Sequence, residues 1–498
     1  MLRLGLVLLL LAAGCVSAPF DYPREKSFAI SPDEDTALGR QVRLWQRQNT
    51  GPSGFFPLVS GTDALGARLR LIDSAEKSID VQYFLMKGDT AGQVFTAGLL
   101  RAADRGVRVR FLLDDVFTTV RDAELELLDA HPNIEVRLHN PISRRGIGAI
   151  NMVATFLRAN RRMHNKSFTV DNQVTIVGGR NIANEYFDLR PKGEFMDLDM
   201  IAIGPVAADV SDVFDRFWNH GRSVPMHAFA QRFTAEDLER ARRKISDAKK
   251  ARSELVYNTA VYTGLVQAMI GGGQSFYSAE ATVVTDEPDK LITKVSTDQM
   301  RLIQSLQKVI DKAQREVIVF TPYFVPGRDG VAYWKSVVDR GVRVVLITNS
   351  LASNNHTAVH AGYAKYRRRI IEAGVELYEV RADAINGGAS ILTLHTKGMI
   401  IDRETVFIGS LNLDPRSIAI NSEMGMFITN ADLGESMARQ ALEQFSSVAY
   451  RVELDPRRRL QWRATIDGVE VIERSEPKAS LMHRFRAFLL RIVPENQL

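Results

Sequence analysis

One sparse pattern occurs twice in this chain, in register. His164-Asn165-Lys166-x4-Asp171 recurs as His395-Thr396-Lys397-x4-Asp402, and after six intervening residues each copy continues Gly-[Gly/Ser]-x-Asn, ending at Asn181 and Asn412. Each matched pair is 231 residues apart. Five fixed positions at ordinary residue frequencies would match by chance on the order of 10⁻⁴ of the time, so the copies are an internal duplication. A chain of 498 residues built this way holds two similar domains, and whatever the pattern does is either done twice or shared.

The residue types point to phosphate chemistry. A neutral imidazole can attack phosphorus or move protons, whereas an ammonium and an amide hold and neutralise phosphate oxygens. Each motif heads a short apolar run, Ser167-Phe168-Thr169-Val170 and Gly398-Met399-Ile400-Ile401. That pattern predicts a buried strand with His and Lys at one end and the motif Asp at the other. Helix-like stretches alternate with strands in the same order in both halves: Arg105-Gly106-Val107 opens a strand in one and Arg340-Gly341-Val342 in the other. The expected fold class is α/β, two domains with mixed sheets flanked by helices and related by a pseudo-twofold axis, so that both motifs line one cleft.

The expected boundaries are a leader at 1–14, a tether and arm at 15–55, the first domain at 56–225, a helical linker at 226–275, the second domain at 276–455 and an extension at 456–498. A first helix is expected near Asp33–Gln48, a charged helix from Thr234 to about Ser253, and a flexible joint at Gly271-Gly272-Gly273. Residues 481–492 place apolar side chains at helical spacing beside arginines, which suits a membrane interface as well as docking on the domain body.

Met1-Leu2-Arg3, the apolar run from Leu4 to Ala13, and Gly14 before Cys15, the single cysteine, describe an export signal of the lipoprotein type. Leu11-Ala12-Ala13-Gly14-Cys15 reads as a lipobox, with cleavage before Cys15 and lipidation there; cleavage after Ala18 is the alternative. The expected location is the periplasmic side of a bacterial membrane, inner or outer being open. One cysteine allows no intrachain disulfide, so stability must come from the core. A net charge of +5 suits anionic headgroups and nucleic acid alike, but an acyl anchor favours a lipid substrate.

At the two motifs the chain resembles the phospholipase D superfamily, whose signature is His-x-Lys-x4-Asp in two copies. The strings Arg161-Arg162-Met163-His164, Gly178-Gly179-Arg180-Asn181-Ile182, Thr321-Pro322-Tyr323-Phe324-Val325-Pro326, Val359-His360-Ala361-Gly362-Tyr363 and Asn412-Leu413-Asp414-Pro415-Arg416-Ser417 are similar to those of bacterial cardiolipin synthases, particularly the C-type group. The resemblance implies a phosphatidyltransferase acting through a phosphohistidine. His164 would be the nucleophile and His395 the acid and base, although spacing does not separate the roles. Lys166, Lys397, Asn181 and Asn412 would hold the non-bridging oxygens, and Asp171 and Asp402 would buttress the fold.

A nucleophilic histidine must be oriented through its other nitrogen. Glu423, 28 residues after His395, resembles the family's acid in this role, and Asp199, or less readily Asp197, would serve His164. Tyr83 and Tyr323, at matching strand ends, read more as packing than as substrate contacts. No cofactor is expected, and no zinc-type spacing is present. The implied partners are membrane phospholipids: phosphatidylglycerol as acceptor, with phosphatidylethanolamine a candidate donor. Nucleic acid is not an expected partner, and no motif points to a protein partner. Competing readings are a phospholipase D that uses water, a phosphodiesterase or nuclease, and a lipid-binding protein with a decayed site.

Overall fold

The computed structural model describes residues 18–497 apart from 117, 121, 143–159, 191–192, 230–233, 235, 237–238, 241–242, 244–251, 265–274, 293–298 and 386–389. Cys15 and the leader, the Gly271-Gly272-Gly273 joint and most of the expected helix from Thr234 lie outside the described residues.

The first half contributes β1 (Ser53–Leu58), β2 (Ser78–Tyr83), β3 (Arg108–Asp114), β4 (Ile134–His139), β5 (Ser167–Val170), β6 (Val174–Gly178), β7 (Glu194–Met196), β8 (Asp199–Ile203) and β9 (Ser223–Pro225). The second contributes β10 (Tyr277–Thr285), β11 (Glu316–Phe320), β12 (Arg343–Asn349), β13 (Glu376–Val380), β14 (Leu392–Leu394), β15 (Gly398–Ile401), β16 (Thr405–Gly409), β17 (Met424–Thr429) and β18 (Ala449–Leu454), followed by β19 (Leu460–Ile466) and β20 (Val469–Glu473).

Spatial order in the first half is β9-β4-β3-β2-β5-β6-β8-β1, with β2-β3-β4 parallel and the other neighbours antiparallel. The second half repeats it as β18-β13-β12-β11-β15-β16-β17-β10 and adds β19-β20 at its outer edge. Antiparallel pairing of β1 with β10, the matching strand of each half, joins the two into one hydrogen-bonded system. A contact between equivalent strands is what a pseudo-twofold axis produces. A second seam is the parallel pair β7–β14, and its counterpart across the axis is the bridge Met163–Ser422.

Helices cover the sheets because their connections pack apolar faces onto them. Helix Gly61–Ser74, capped by the Ser60 hydroxyl, and helix Thr90–Asp104, capped by Asp89, pack in the first core. Helix Val206–Trp218 packs on β5, β6 and β8 of the first sheet and on β10, and presents Val210, Val213, Phe214 and Phe217 to a core that also contains Met424 and Met426 of the second half.

One expectation about a segment's role changes. From residue 18 onward the expected tether and arm is not free, because the buried Arg110 and Arg137 of β3 and β4 need acceptors and take the carbonyls of Ser27 and Glu25. Its helix spans Ala37–Gln48, starting from a Thr36 cap, and β1 begins at Ser53, ahead of the expected boundary at 56. In the linker, helix Arg252–Val261 packs on the first domain and buries Ala260 and Val261 there.

The motif aspartates sit at the far ends of their strands. Asp171 accepts the backbone N–H groups of Glu76, Lys77 and Ser78 at 3.0, 2.8 and 2.9 Å. Asp402 accepts those of Gln314, Arg315 and Glu316 at 2.9, 2.7 and 2.9 Å. Each carboxylate thereby fixes the start of the strand beside its own. Asp171 and Asn172, like Asp402 and Arg403, take positive φ (51°, 52°, 52° and 58°), the backbone that tight hairpin turns of the primed type require. Asp171→Ala and Asp402→Ala should each lower stability by roughly 2–4 kcal/mol, because three amides lose a charged acceptor. The corresponding Asn variants, which tolerate the turn, should lose less; denaturant unfolding midpoints measure the difference.

Candidate active site

The two motif heads lie where the halves meet. His164 and Lys166 lead into β5, and His395 and Lys397 lead into β15; all four side chains are buried. Backbone hydrogen bonds across the axis position the histidines: His164 N–H donates to the Ser422 carbonyl at 2.9 Å, and His395 N–H to the Met196 carbonyl at 2.7 Å. Just upstream, the Asp114 carboxylate accepts Met163 N–H and the Asn349 side-chain carbonyl accepts Leu394 N–H. Both come from the C-terminal ends of equivalent strands, β3 and β12.

Each histidine is oriented by an acid from the opposite half. His164 Nδ1 lies 2.8 Å from Glu423 Oε2 and 3.1 Å from the Ser410 carbonyl. His395 Nδ1 lies 2.6 Å from Asp197 Oδ2. This corrects two expectations. Glu423 holds the histidine of the first copy, not that of its own, and Asp199 holds neither. Asp199 points into the first core, where it pairs with Arg68 at 2.8 Å and accepts the Arg180 N–H. The stretch from Asn181 to Asp197 is five residues longer than that from Asn412 to Glu423, so fixed spacing from the motif misses the counterpart. Asp197 and Glu423 each immediately follow the residue whose carbonyl holds a histidine N–H, Met196 and Ser422 respectively. That equivalence is invisible without the pairing.

The charges compensate one another. Burial, with the Lys166 and Lys397 ammoniums nearby, holds the His164 imidazole down at about 4, against the opposing pull of Glu423. Burial and Lys397 bring His395 to about 3. Burial also lowers Lys166 to about 7 and Lys397 to about 8. Although burial opposes it, His395 and Lys397 hold Asp197 near 2, and His164 and Lys166 likewise keep Glu423 below its usual range. Lys397 and Asp197 act on His395, and Lys166 feels Glu423, Lys397 and Asp197, so the groups of both motifs share one electrostatic site. At neutral pH both imidazoles are neutral. With Nδ1–H donated to a carboxylate, the Nε2 lone pair is left for chemistry.

The ammoniums are tethered by their own motifs: Lys166 Nζ donates to the His164 carbonyl at 2.7 Å and Lys397 Nζ to that of His395. Hydroxyls five residues downstream hold the asparagines. Asn181 donates to Tyr186 Oη at 3.0 Å while its carbonyl accepts Leu85 N–H, and Asn412 donates to Ser417 Oγ at 3.3 Å. Tyr186 was not singled out in the sequence, yet its ring lies edge-on to His395 at 5.1 Å, and Phe195 stacks on the same imidazole at 5.0 Å. Phe84 meets His164 edge-on at 4.7 Å. Tyr83 is packing, bound to Arg68 in the core, whereas Tyr323 donates to Asn355 and faces His356. Among the described residues no group of three or more His, Cys, Asp and Glu side chains is placed to hold a metal ion.

The half-sites differ where the acids sit. A Cβ on Gly179 would lie 2.1 Å from Asp197 Oδ1, so only glycine leaves room for the shorter acid. The equivalent Ser410 donates its hydroxyl to Glu423 instead. Gly179→Ala should displace Asp197 from His395 and cut phosphodiester turnover by about 10²-fold, the usual cost of a misplaced catalytic group. Ser410→Gly, which removes one donor and adds no clash, should cost about tenfold or less. Steady-state kinetics on the two variants checks the ordering.

Comparison with known proteins agrees with this architecture. The family model described as cardiolipin synthase, PLD-like domain, matches residues 69–218 and 306–448, one match per half. The chain is 38% identical over 459 residues to cardiolipin synthase C of Escherichia coli (strain K12), covering 90% of this chain and 96% of that protein. It is 24% identical to a cardiolipin synthase of Geobacillus kaustophilus, over 84% of this chain and 71% of that one. The crystal structure of phosphatidylserine synthase from Haemophilus influenzae superposes with a TM-score of 0.56 over 82% of this chain and 90% of that one, at 16% identity, and shares the fold. Two matched domains, each carrying one histidine–lysine pair of a common site, make this chain a member of the PLD-like cardiolipin synthase family.

Proposed function

We propose that this protein transfers a phosphatidyl group between membrane phospholipids, making cardiolipin from phosphatidylglycerol and a second phospholipid through a phosphohistidine intermediate. The observation that carries it is the pair of neutral imidazoles, each held by a carboxylate at Nδ1 and flanked by two ammoniums. The relative named cardiolipin synthase C supports the acceptor chemistry.

In this reading His164 Nε2 attacks the phosphorus of the donor, the bond to the departing headgroup alcohol breaks, and His395 gives that alcohol a proton. His395 is neutral in the empty site. The anionic phosphate entering between the imidazoles raises its proton affinity, so substrate and proton arrive together. The hydroxyl of phosphatidylglycerol then enters and yields its proton to His395. Its oxygen bonds to phosphorus as the P–N bond breaks, which restores both histidines. Lys166, Lys397, Asn181 and Asn412 hold the non-bridging oxygens, and their positive charge and dipoles stabilise the charge that builds in the transition state. Splitting one displacement into two gives ping-pong kinetics and retention at phosphorus. Lipidation at Cys15 would keep the enzyme at a periplasmic membrane face, since two or more acyl chains give stable anchoring.

Incubation with vesicles of phosphatidylglycerol and phosphatidylethanolamine, with products identified by mass spectrometry, should give cardiolipin and free ethanolamine. Phosphatidic acid as the only product would instead make the protein a hydrolase. His164→Ala and His395→Ala should each reduce turnover by at least about 10³-fold, since attack and proton transfer both fail. Appreciable activity in either would contradict the paired scheme.

The pH profile follows from the shifted groups. Raising the pH through about 7 and 8 removes the protons of Lys166 and Lys397, so kcat/KM should fall on the alkaline side as the empty site loses its positive charge. Acidification should reduce it only near pH 4, where His164 takes up a proton. A profile that rises steadily from about pH 6 to 9 would contradict the assignment.

A further inference from the structure

The helix Leu481–Leu489, capped by the Ser480 hydroxyl and continued by a 3-10 turn through Ile492, is turned inside out. Its small residue Ala487 packs inward with Ala479 and Leu351. Its large apolar side chains face outward: Leu481 is 81% exposed, Met482 74%, Phe485 56%, Phe488 63%, Leu489 50% and Ile492 88%. The spacing of these residues, at steps of 1, 3 and 4, makes a single stripe on one face of the helix. A helix that docks on its own domain does the reverse, so this face is built to be covered by something else.

The surroundings identify what covers it. Arg486 and Arg491 are exposed beside the stripe, and the Arg491 guanidinium lies 5.9 Å from the centre of the Phe488 ring. Apolar side chains edged by arginines suit the boundary between acyl chains and anionic headgroups. No helix among the described residues is long and apolar enough to cross a membrane, so the stripe could enter only the outer part of a leaflet.

A relay of contacts connects the helix to the site. His483 meets Thr357 at 3.3 Å, at the start of helix Thr357–Ala364. The preceding Asn355 and His356 contact Tyr323, and the next residues, Phe324 and Val325, pair with Leu413, adjacent to Asn412. Glu495, just past the 3-10 turn, holds Lys365 and Tyr366, so the segment is fastened at both ends.

We propose that this stripe seats the enzyme on an anionic phospholipid bilayer, with its side chains in the upper leaflet beside the cleft. A diacyl substrate could then pass from the bilayer to the histidines without leaving the membrane boundary. The purpose, though not the surface itself, rests on the phosphatidyltransferase reading.

The test uses the full chain with Cys15→Ala and Phe488→Cys, labelled at the introduced thiol with a polarity-sensitive fluorophore, and a control labelled through Lys335→Cys on the exposed face of helix Gly327–Asp339. Vesicles of phosphatidylglycerol and phosphatidylethanolamine should shift the Phe488→Cys emission to the blue and leave the control unchanged. In parallel, Phe485→Ser/Phe488→Ser/Ile492→Ser in the same Cys15→Ala background should raise the KM for vesicle lipid at least about tenfold and leave turnover of dispersed short-chain phosphatidylglycerol unchanged. An unshifted probe together with an unchanged vesicle KM would overturn the proposal. So would a shift that depends on protein concentration and not on lipid, which would make the stripe a contact between copies. If the parent turns over neither lipid form, the transferase reading fails, while the probe still decides whether the stripe enters a bilayer.

Discussion

Everything at the site depends on an exchange of carboxylates between the halves. Glu423 of the second half holds His164 of the first, and Asp197 of the first holds His395 of the second. Neither half has an oriented histidine on its own. The exchange fixes the protonated nitrogen of each ring and the direction of the other. Burying two carboxylates and two ammoniums together is tolerable only because they compensate one another. Removing any one would leave a buried charge of the opposite sign without its partner. The β1–β10 pairing, the β7–β14 pair and the Met163–Ser422 bridge keep those charges at bonding distance.

The symmetry is not complete, and the departures fall around the histidines. Gly179 with Asp197 on one side becomes Ser410 with Glu423 on the other, and the hydroxyl that holds the asparagine is a phenol at Tyr186 but a serine at Ser417. His395 lies among Tyr186 and Phe195, whereas His164 lies beside Phe84. The proposed two-step exchange asks different things of its two imidazoles, one attacking and one moving protons, and the unequal surroundings give the halves the means to specialise.

Much of this was legible in the sequence because duplication makes weak patterns strong. The two motifs, the buried strands Ser167–Val170 and Gly398–Ile401 and the repeated strand order all follow from local pattern, and the α/β architecture from their alternation. Glu423 was legible as an orienting acid and Asp197 only as a second candidate behind Asp199, but which histidine each one holds was not. Glu423 lies 28 residues after His395, but five extra residues after Asn181 place its counterpart, Asp197, 33 residues after His164, and only the cross-half pairing of Met196 and Ser422 with the histidine amides reveals it. The arm, read as a tether from its polar breaks, is held because Arg110 and Arg137 are buried and take its carbonyls, a demand made by residues far along the chain. Long-range satisfaction of buried polar groups leaves no periodicity to read.

The crossed carboxylates are tested most directly by proton NMR of the imidazole Nδ1–H groups, which resonate at low field when bonded to a buried carboxylate. Two such signals are predicted. Glu423→Gln should remove or move only the His164 signal and Asp197→Asn only that of His395, with Asp199→Asn leaving both in place. If Glu423→Gln instead perturbed His395 alone, or Asp199→Asn removed the His164 signal, each half would be orienting its own histidine and the shared site described here would be wrong.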